Sequence, residues 1–132
     1  MKQQYIVINS IGTYYYSDKA MSRLHRVKGP ACDCVNGTKL WYVNGRLHRE
    51  DGPAIEYSNG IKIWYLNGIR HRENGPAFEW AVGKKWFLNN KEVTEEEHAR
   101  LTKKVTTINI NGKEFTVEEL NSLIESAKGK SV

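Results

Sequence analysis

Leu47-His48-Arg49-Glu50-Asp51-Gly52-Pro53-Ala54 is the stretch that decides how this chain folds. A related stretch lies on each side of it: Leu24-His25-Arg26-Val27-Lys28-Gly29-Pro30-Ala31 before, and Arg70-His71-Arg72-Glu73-Asn74-Gly75-Pro76-Ala77 after. His25, His48 and His71 stand 23 residues apart at each step, and so do Pro30, Pro53 and Pro76. Downstream, Asn36-Gly37-Thr38-Lys39-Leu40-Trp41-Tyr42-Val43-Asn44-Gly45 matches Asn59-Gly60-Ile61-Lys62-Ile63-Trp64-Tyr65-Leu66-Asn67-Gly68. The third copy degenerates to Val82-Gly83-Lys84-Lys85-Trp86-Phe87-Leu88-Asn89-Asn90 and is one residue shorter. A partial copy, Ile11-Gly12-Thr13-Tyr14-Tyr15-Tyr16, leads into the first. Repeats are thus placed near 24–46, 47–69 and 70–90. A fixed period of this length marks an array in which each unit is one supersecondary element stacked on its neighbours.

The unit reads as β. Asn-Gly is a strong hairpin signal, because a type I′ turn needs positive φ at both central residues. Each full repeat has two such points, at Asn36-Gly37 and Asn44-Gly45, then at Asn59-Gly60 and Asn67-Gly68. The intervening segments are short and rich in Ile, Trp, Tyr and Val, which suits strands and not helices. One expected strand is Lys39 to Val43, with Lys62 to Leu66 as its equivalent. The other is Ala31 to Val35, with equivalents Ala54 to Ser58 and Ala77 to Ala81. Gly-Pro precedes this second strand, and Pro is tolerated where a strand begins. The expected fold is mainly β, a meandering antiparallel repeat sheet over residues 1–93. Cys32-Asp33-Cys34 aligns with Ile55-Glu56-Tyr57 and Phe78-Glu79-Trp80, so both thiols fill apolar columns on one strand face. They are expected to be buried free thiols, with half a metal site or a redox pair as the alternatives.

These residues resemble MORN-type repeats (membrane occupation and recognition nexus), whose unit is also about 23 residues. The likeness runs through Trp41-Tyr42-Val43-Asn44-Gly45-Arg46-Leu47-His48, then Gly52, then Ile55-Glu56-Tyr57. The Leu-His-Arg-Glu-Asp-Gly-Pro-Ala variant is similar to tandem repeats of uncharacterised phage and large-virus proteins. The resemblance covers roughly residues 11–93 and implies stacked hairpins. Gly52-Pro53-Ala54 stands where that family has Gly-x-Gly, and Lys62-Ile63-Trp64-Tyr65 where it has Tyr-x-Gly-x-Trp.

Past residue 93 the pattern changes. Thr94-Glu95-Glu96-Glu97 and Thr116-Val117-Glu118-Glu119 are capping boxes. The first opens a helix through about Lys104; the second opens one from about Val117 to Ala127. Val105 to Ile110, Asn111-Gly112 and Lys113 to Phe115 read as a hairpin between them. Val117, Leu120, Leu123, Ile124 and Ala127 form one apolar stripe. Residues 94–132 therefore read as a C-terminal helix–hairpin–helix cap over an open sheet edge, with a frayed tail from Lys128 to Val132. A partner-binding or dimerising helix is the alternative.

Composition narrows the function classes. In 132 residues, 39% are hydrophobic and 27% charged, with 11 Gly and 3 Pro, which excludes disorder and collagen. The longest apolar runs, of which Tyr5-Ile6-Val7-Ile8 is one, are far below the ~20 residues of a span, so no membrane insertion is expected. Met-Lys-Gln-Gln-Tyr is no signal peptide, and the expected location is cytoplasmic. Residues 1–92 carry 14 Lys/Arg against 8 Asp/Glu, whereas residues 93–132 carry 6 against 7. The basic excess belongs to the array and suits an anionic partner.

The common catalytic templates are missing from the sequence, and no cofactor is expected. Equivalent histidines two strands apart would stand about 9–10 Å from one another, too far to share a zinc ion, so no metal is expected. Counting across a two-residue turn, Trp41 faces His48 and Trp64 faces His71, with Arg49 and Arg72 alternating to the opposite face. One face then shows Trp and His; the other shows Arg among Tyr42 and Tyr65. The candidate binding residues are accordingly Arg26, Arg49, Arg72, His48, His71, Trp41, Trp64, Tyr42 and Tyr65. Packing of the fold is the competing account of each, and pairing with Glu50, Asp51 and Glu73 the competing account of the arginines.

Three function classes stand at this point. The first is a non-catalytic binding protein, a phage accessory protein that blocks a host factor such as a defence protein; the partner is then a host protein. The second is sequestration of a nucleotide or short nucleic acid by the Arg and aromatic ladder, through stacking and phosphate contacts. The third is a small hydrolase using His48 or His71 as general base, for which neither a nucleophile nor a carboxylate partner is identifiable. Open edges and the terminal helix leave room for a homodimer.

Overall fold

The computed structural model describes residues 3–103 and 106–129. Lys104, Val105 and the last three residues of the expected tail lie outside the described residues. The chain divides into two compact units, Met1–Leu101 and Thr102–Val132. No helix among the described residues is long and apolar enough to cross a membrane.

The first unit is built from β1 (Tyr5–Ile8), β2 (Gly12–Tyr16), β3 (Cys32–Cys34), β4 (Lys39–Leu40), β5 (Tyr42–Val43), β6 (Arg46–Leu47), β7 (Ile55–Glu56) and β8 (Lys62–Ile63). These are followed by β9 (Tyr65–Leu66), β10 (Ile69–Arg70), β11 (Phe78–Trp80), β12 (Gly83–Leu88), β13 (Lys91–Val93) and helix α1 (Glu95–Thr102). The main sheet has nine antiparallel strands in the order β1-β2-β3-β4-β7-β8-β11-β12-β13. Two ribbons, β5–β6 and β9–β10, stand apart from it.

The separate ribbons correct the expectation of one continuous strand from Lys39 to Val43. The strand breaks at Trp41, whose N–H donates to the Ala54 carbonyl and whose own carbonyl accepts the His48 N–H. Trp64 does the same between Ala77 and His71. Each aromatic residue thus hands the chain from the main sheet to a ribbon. The register across the ribbons is as expected, with Val43 opposite Arg46 and Tyr42 opposite Leu47. Asn44 and Gly45 both hold positive φ (51° and 76°), as do Asn67 and Gly68 (50° and 79°). These are the I′ turns that the sequence announces.

The other Asn-Gly pairs differ. Gly37 and Gly60 have φ near 90°, whereas Asn36 and Asn59 stay out of the positive region. The Gly37 N–H donates to the Cys34 carbonyl and the Cys34 N–H to Thr38, which makes a longer, bulged hairpin. The third copy replaces this turn by Ala81-Val82 alone, with Trp80 paired directly to Gly83. That shorter turn accounts for its missing residue.

The core is thin. Ala31, Ala54 and Ala77 are fully buried, joined by Cys32, Ile55 and Phe87. The alanines sit where sheet and ribbon diverge, and their carbonyls receive the N–H groups of Tyr15, Trp41 and Trp64. Helix α1 opens with the expected capping box: Glu97 accepts from the Thr94 N–H, and Thr94 Oγ1 accepts from the Glu97 N–H. His98 is buried, and its Nε2 lies 2.6 Å from the Arg72 carbonyl, which places α1 with the first unit.

The second unit holds β14 (Thr107–Ile110), β15 (Lys113–Thr116) and α2 (Val117–Gly129). The Asn111-Gly112 turn has positive φ at both residues. Thr116 and Glu119 form the second capping box. None of the described residues of α2 is buried.

Candidate functional site

The repeated side chains form one network. Leaving β6, the chain returns beside the next hairpin. The Asn44 N–H donates to His25 Nδ1 at 2.9 Å, the Asn67 N–H to His48 Nδ1 at 3.0 Å, and the Asn89 N–H to His71 Nδ1 at 3.0 Å. Each ring nitrogen therefore accepts, which places the proton of the neutral imidazole on Nε2. Nearby, the backbone N–H groups of Arg26, Arg49 and Arg72 donate to the carbonyls of Tyr42, Tyr65 and Phe87. Each histidine holds the following hairpin in register.

The arginines repeat just as closely. The guanidinium carbon of Arg26 lies 3.9 Å over the Tyr15 ring, that of Arg49 4.0 Å over Trp41, and that of Arg72 3.9 Å over Trp64. Nη1 donates to the carbonyl of Pro30, Pro53 or Pro76 at 3.2, 3.1 and 2.9 Å. A β-carbon on Gly52 would meet the Arg49 guanidinium carbon at 2.8 Å, and one on Gly75 would meet that of Arg72 at 2.9 Å. A methyl added at either glycine must therefore displace the guanidinium, which lies between ring and backbone. Arg49 also pairs with Asp51 at 2.9 Å and Glu56 at 3.4 Å, and Arg72 with Glu79 at 3.2 Å.

This geometry corrects the expected division of faces. Strand alternation ends at His48, because the Arg49 N–H turns away to Tyr65 in the next ribbon. The guanidinium then folds back over Trp41, on the side expected for Trp and His alone. Tyr42 and Tyr65 meet Arg26 and Arg49 through their carbonyls, whereas the rings beneath the guanidiniums are Tyr15 and Trp41. Burial pushes the Tyr42 phenol above its ordinary range, with Cys32, Tyr57 and Tyr65 close enough to add to the effect.

The two thiols are free, with their Sγ atoms 3.1 Å apart. Burial, then the neighbouring Cys34, pushes the Cys32 thiol up to about 12. Among the described residues, no buried side-chain nitrogen or oxygen lacks a hydrogen-bond partner. No group of three His, Cys, Asp or Glu side chains is placed to hold a metal ion among them.

Two features escape the sequence reading. The antiparallel order places the β1–β2, β3–β4, β7–β8 and β11–β12 turns at the same end of the main sheet. Those turns carry exposed apolar side chains: Ile8 (77% exposed), Ile11, Val35 (76%), Tyr57 and Val82 (91%). The Val35 N–H donates to the Ile11 carbonyl, so the first two turns touch. The second feature is an open cleft of about 1140 Å³ beside the first repeat, around Arg23, His25, Arg26 and Lys28. The replacement of Glu50-Asp51 by Val27-Lys28 is the sequence signal for it.

Comparison of the chain with protein families, with curated proteins and with solved structures yields no match.

Proposed function

We propose that this chain is a non-catalytic binding protein that docks a protein partner on the turn end of its main sheet. The observation that carries this reading is the apolar row at that end. Isolated exposed apolar residues are ordinary, but a series gathered on one rim marks an interaction surface. Turns two strands apart stand about 10 Å from each other, so the row spans the dimensions of a protein contact. The guanidiniums of Arg49 and Arg72 are engaged by carbonyl and carboxylate, and His48 and His71 by backbone N–H groups. This favours docking over a repeated nucleotide ladder and over a histidine base. The likeness to MORN-type and viral repeats suggests the role: a phage accessory protein that blocks a host defence factor in the cytoplasm.

The test is affinity capture from host cells with the wild-type chain and a Val35→Asp/Val82→Asp variant, both checked for equal melting temperature. The expected result is one protein retained by the wild type and lost from the variant. Equal retention by both, or retention by neither, contradicts the proposal.

A further inference from the structure

We infer that the cleft beside the first repeat binds a small phosphorylated molecule, of about the size of a nucleoside monophosphate. The argument rests on what the first repeat lacks compared with the other two. His48 Nε2 lies 3.7 Å from Glu50, and His71 Nε2 lies 3.7 Å from Glu73. The residue in that column of the first repeat is Val27. His25 keeps its Nδ1 bond to Asn44 and lines the cleft, and among the described residues no carboxylate is paired with its Nε2. Arg49 Nε is held by Asp51, and that column holds Lys28. The equivalent of Glu56 is Asp33, which is taken by Lys39 at 3.1 Å. Arg26 therefore keeps its stack on Tyr15 and its bond to Pro30, but among the described residues it has no carboxylate partner.

These unused donors face one space. The cleft is lined by Arg23, His25, Arg26 and Lys28, with Gln4 and Tyr16 among its other walls. Its one carboxylate among the described residues, Asp18, is turned into its own loop, where Oδ1 accepts from the Ser22 N–H and hydroxyl and Oδ2 from the Arg23 N–H. Three cations and an imidazole N–H thus surround a volume of about 1140 Å³, enough for a nucleotide-sized ligand. A phosphate monoester matches this set, since a dianion accepts from a guanidinium edge and from several point donors together. A long nucleic acid would need the same donors along the array, and Arg49 and Arg72 do not offer them. The cleft lies beside the ribbon end of the strands, opposite the apolar turns, so this inference is independent of the protein-docking proposal.

Titration calorimetry with inorganic phosphate, adenosine monophosphate and adenosine, at low and moderate salt, tests it. The informative variant is Val27→Glu/Lys28→Asp, which gives the first repeat the acidic pair of the second; Lys28→Gln is a milder companion. The phosphate-bearing probes are expected to bind the wild type, more weakly as salt rises, and adenosine is expected not to bind. The double variant should bind at least about tenfold more weakly, the loss of one charge-assisted contact, with an unchanged melting temperature. Three results would overturn the inference: no binding of phosphate or adenosine monophosphate at low salt, equal binding by the double variant, or adenosine binding as tightly as adenosine monophosphate.

Discussion

Each of His25, His48 and His71 spends one ring nitrogen on the backbone of the following hairpin. Replacing His48 with Phe keeps a ring in place but leaves the Asn67 N–H unpaired. That N–H is exposed and can turn to water, so the change costs one ordinary hydrogen bond, about 0.5–1.5 kcal/mol, which urea unfolding of His48→Phe should show. An unchanged urea midpoint would mean the bond carries no stability. Gly52 carries a parallel expectation. An added methyl in Gly52→Ala drives the Arg49 guanidinium off Trp41, at a cost of about 1–3 kcal/mol, typical of overpacking. Intrinsic Trp fluorescence and the denaturation midpoint should shift together. Cys32 provides the pH test. Its folded value of about 12 stands above the ordinary 9.0, so the folded state holds the proton longer than the unfolded one. The resulting stability is complete below pH 9 and is lost as pH rises toward 12. Unfolding free energy should fall with pH across that window, and less steeply in Cys32→Ala; equal slopes would contradict the shift.

At the scale of elements, the ribbon turns and helix caps were legible because their chemistry is local. Asn44-Gly45 and Asn67-Gly68 need positive φ and adopt it; Thr94 and Thr116 need a glutamate three residues on and have it. The Glu119 carboxyl is held below its usual range by the Thr116 N–H, so its contribution is present above that range and fades as pH falls. Thr116→Ala should cost about 1 kcal/mol of helix stability, seen as reduced far-UV helical signal on heating. The break at Trp41 was not legible, because Lys39-Leu40 and Tyr42-Val43 share one strand pattern. The break comes from a distant partner, the Ala54 carbonyl. The face of Arg49 was misjudged for the same reason: alternation holds only while the strand continues. Val35 and Val82 look unremarkable singly, and only the sheet order gathers them on one rim.

At the scale of the molecule, the array separates the side chains that fasten it from those that it presents. Histidine, arginine and the aromatic residue beneath it join each hairpin to the next, and such bonds to neighbours set the stability of a repeat array. The apolar side chains of the turns take no part in that network, and the proposed docking assigns them to a partner. Site-specific photocrosslinking in host cells tests this separation most directly, with the photoreactive residue placed in turn at Val35, Val82, Glu50 and Glu73. The account predicts one crosslinked protein from Val35 and Val82 and none from Glu50 or Glu73. A crosslink from Glu50 or Glu73 alone, or none from the turn positions, would contradict it.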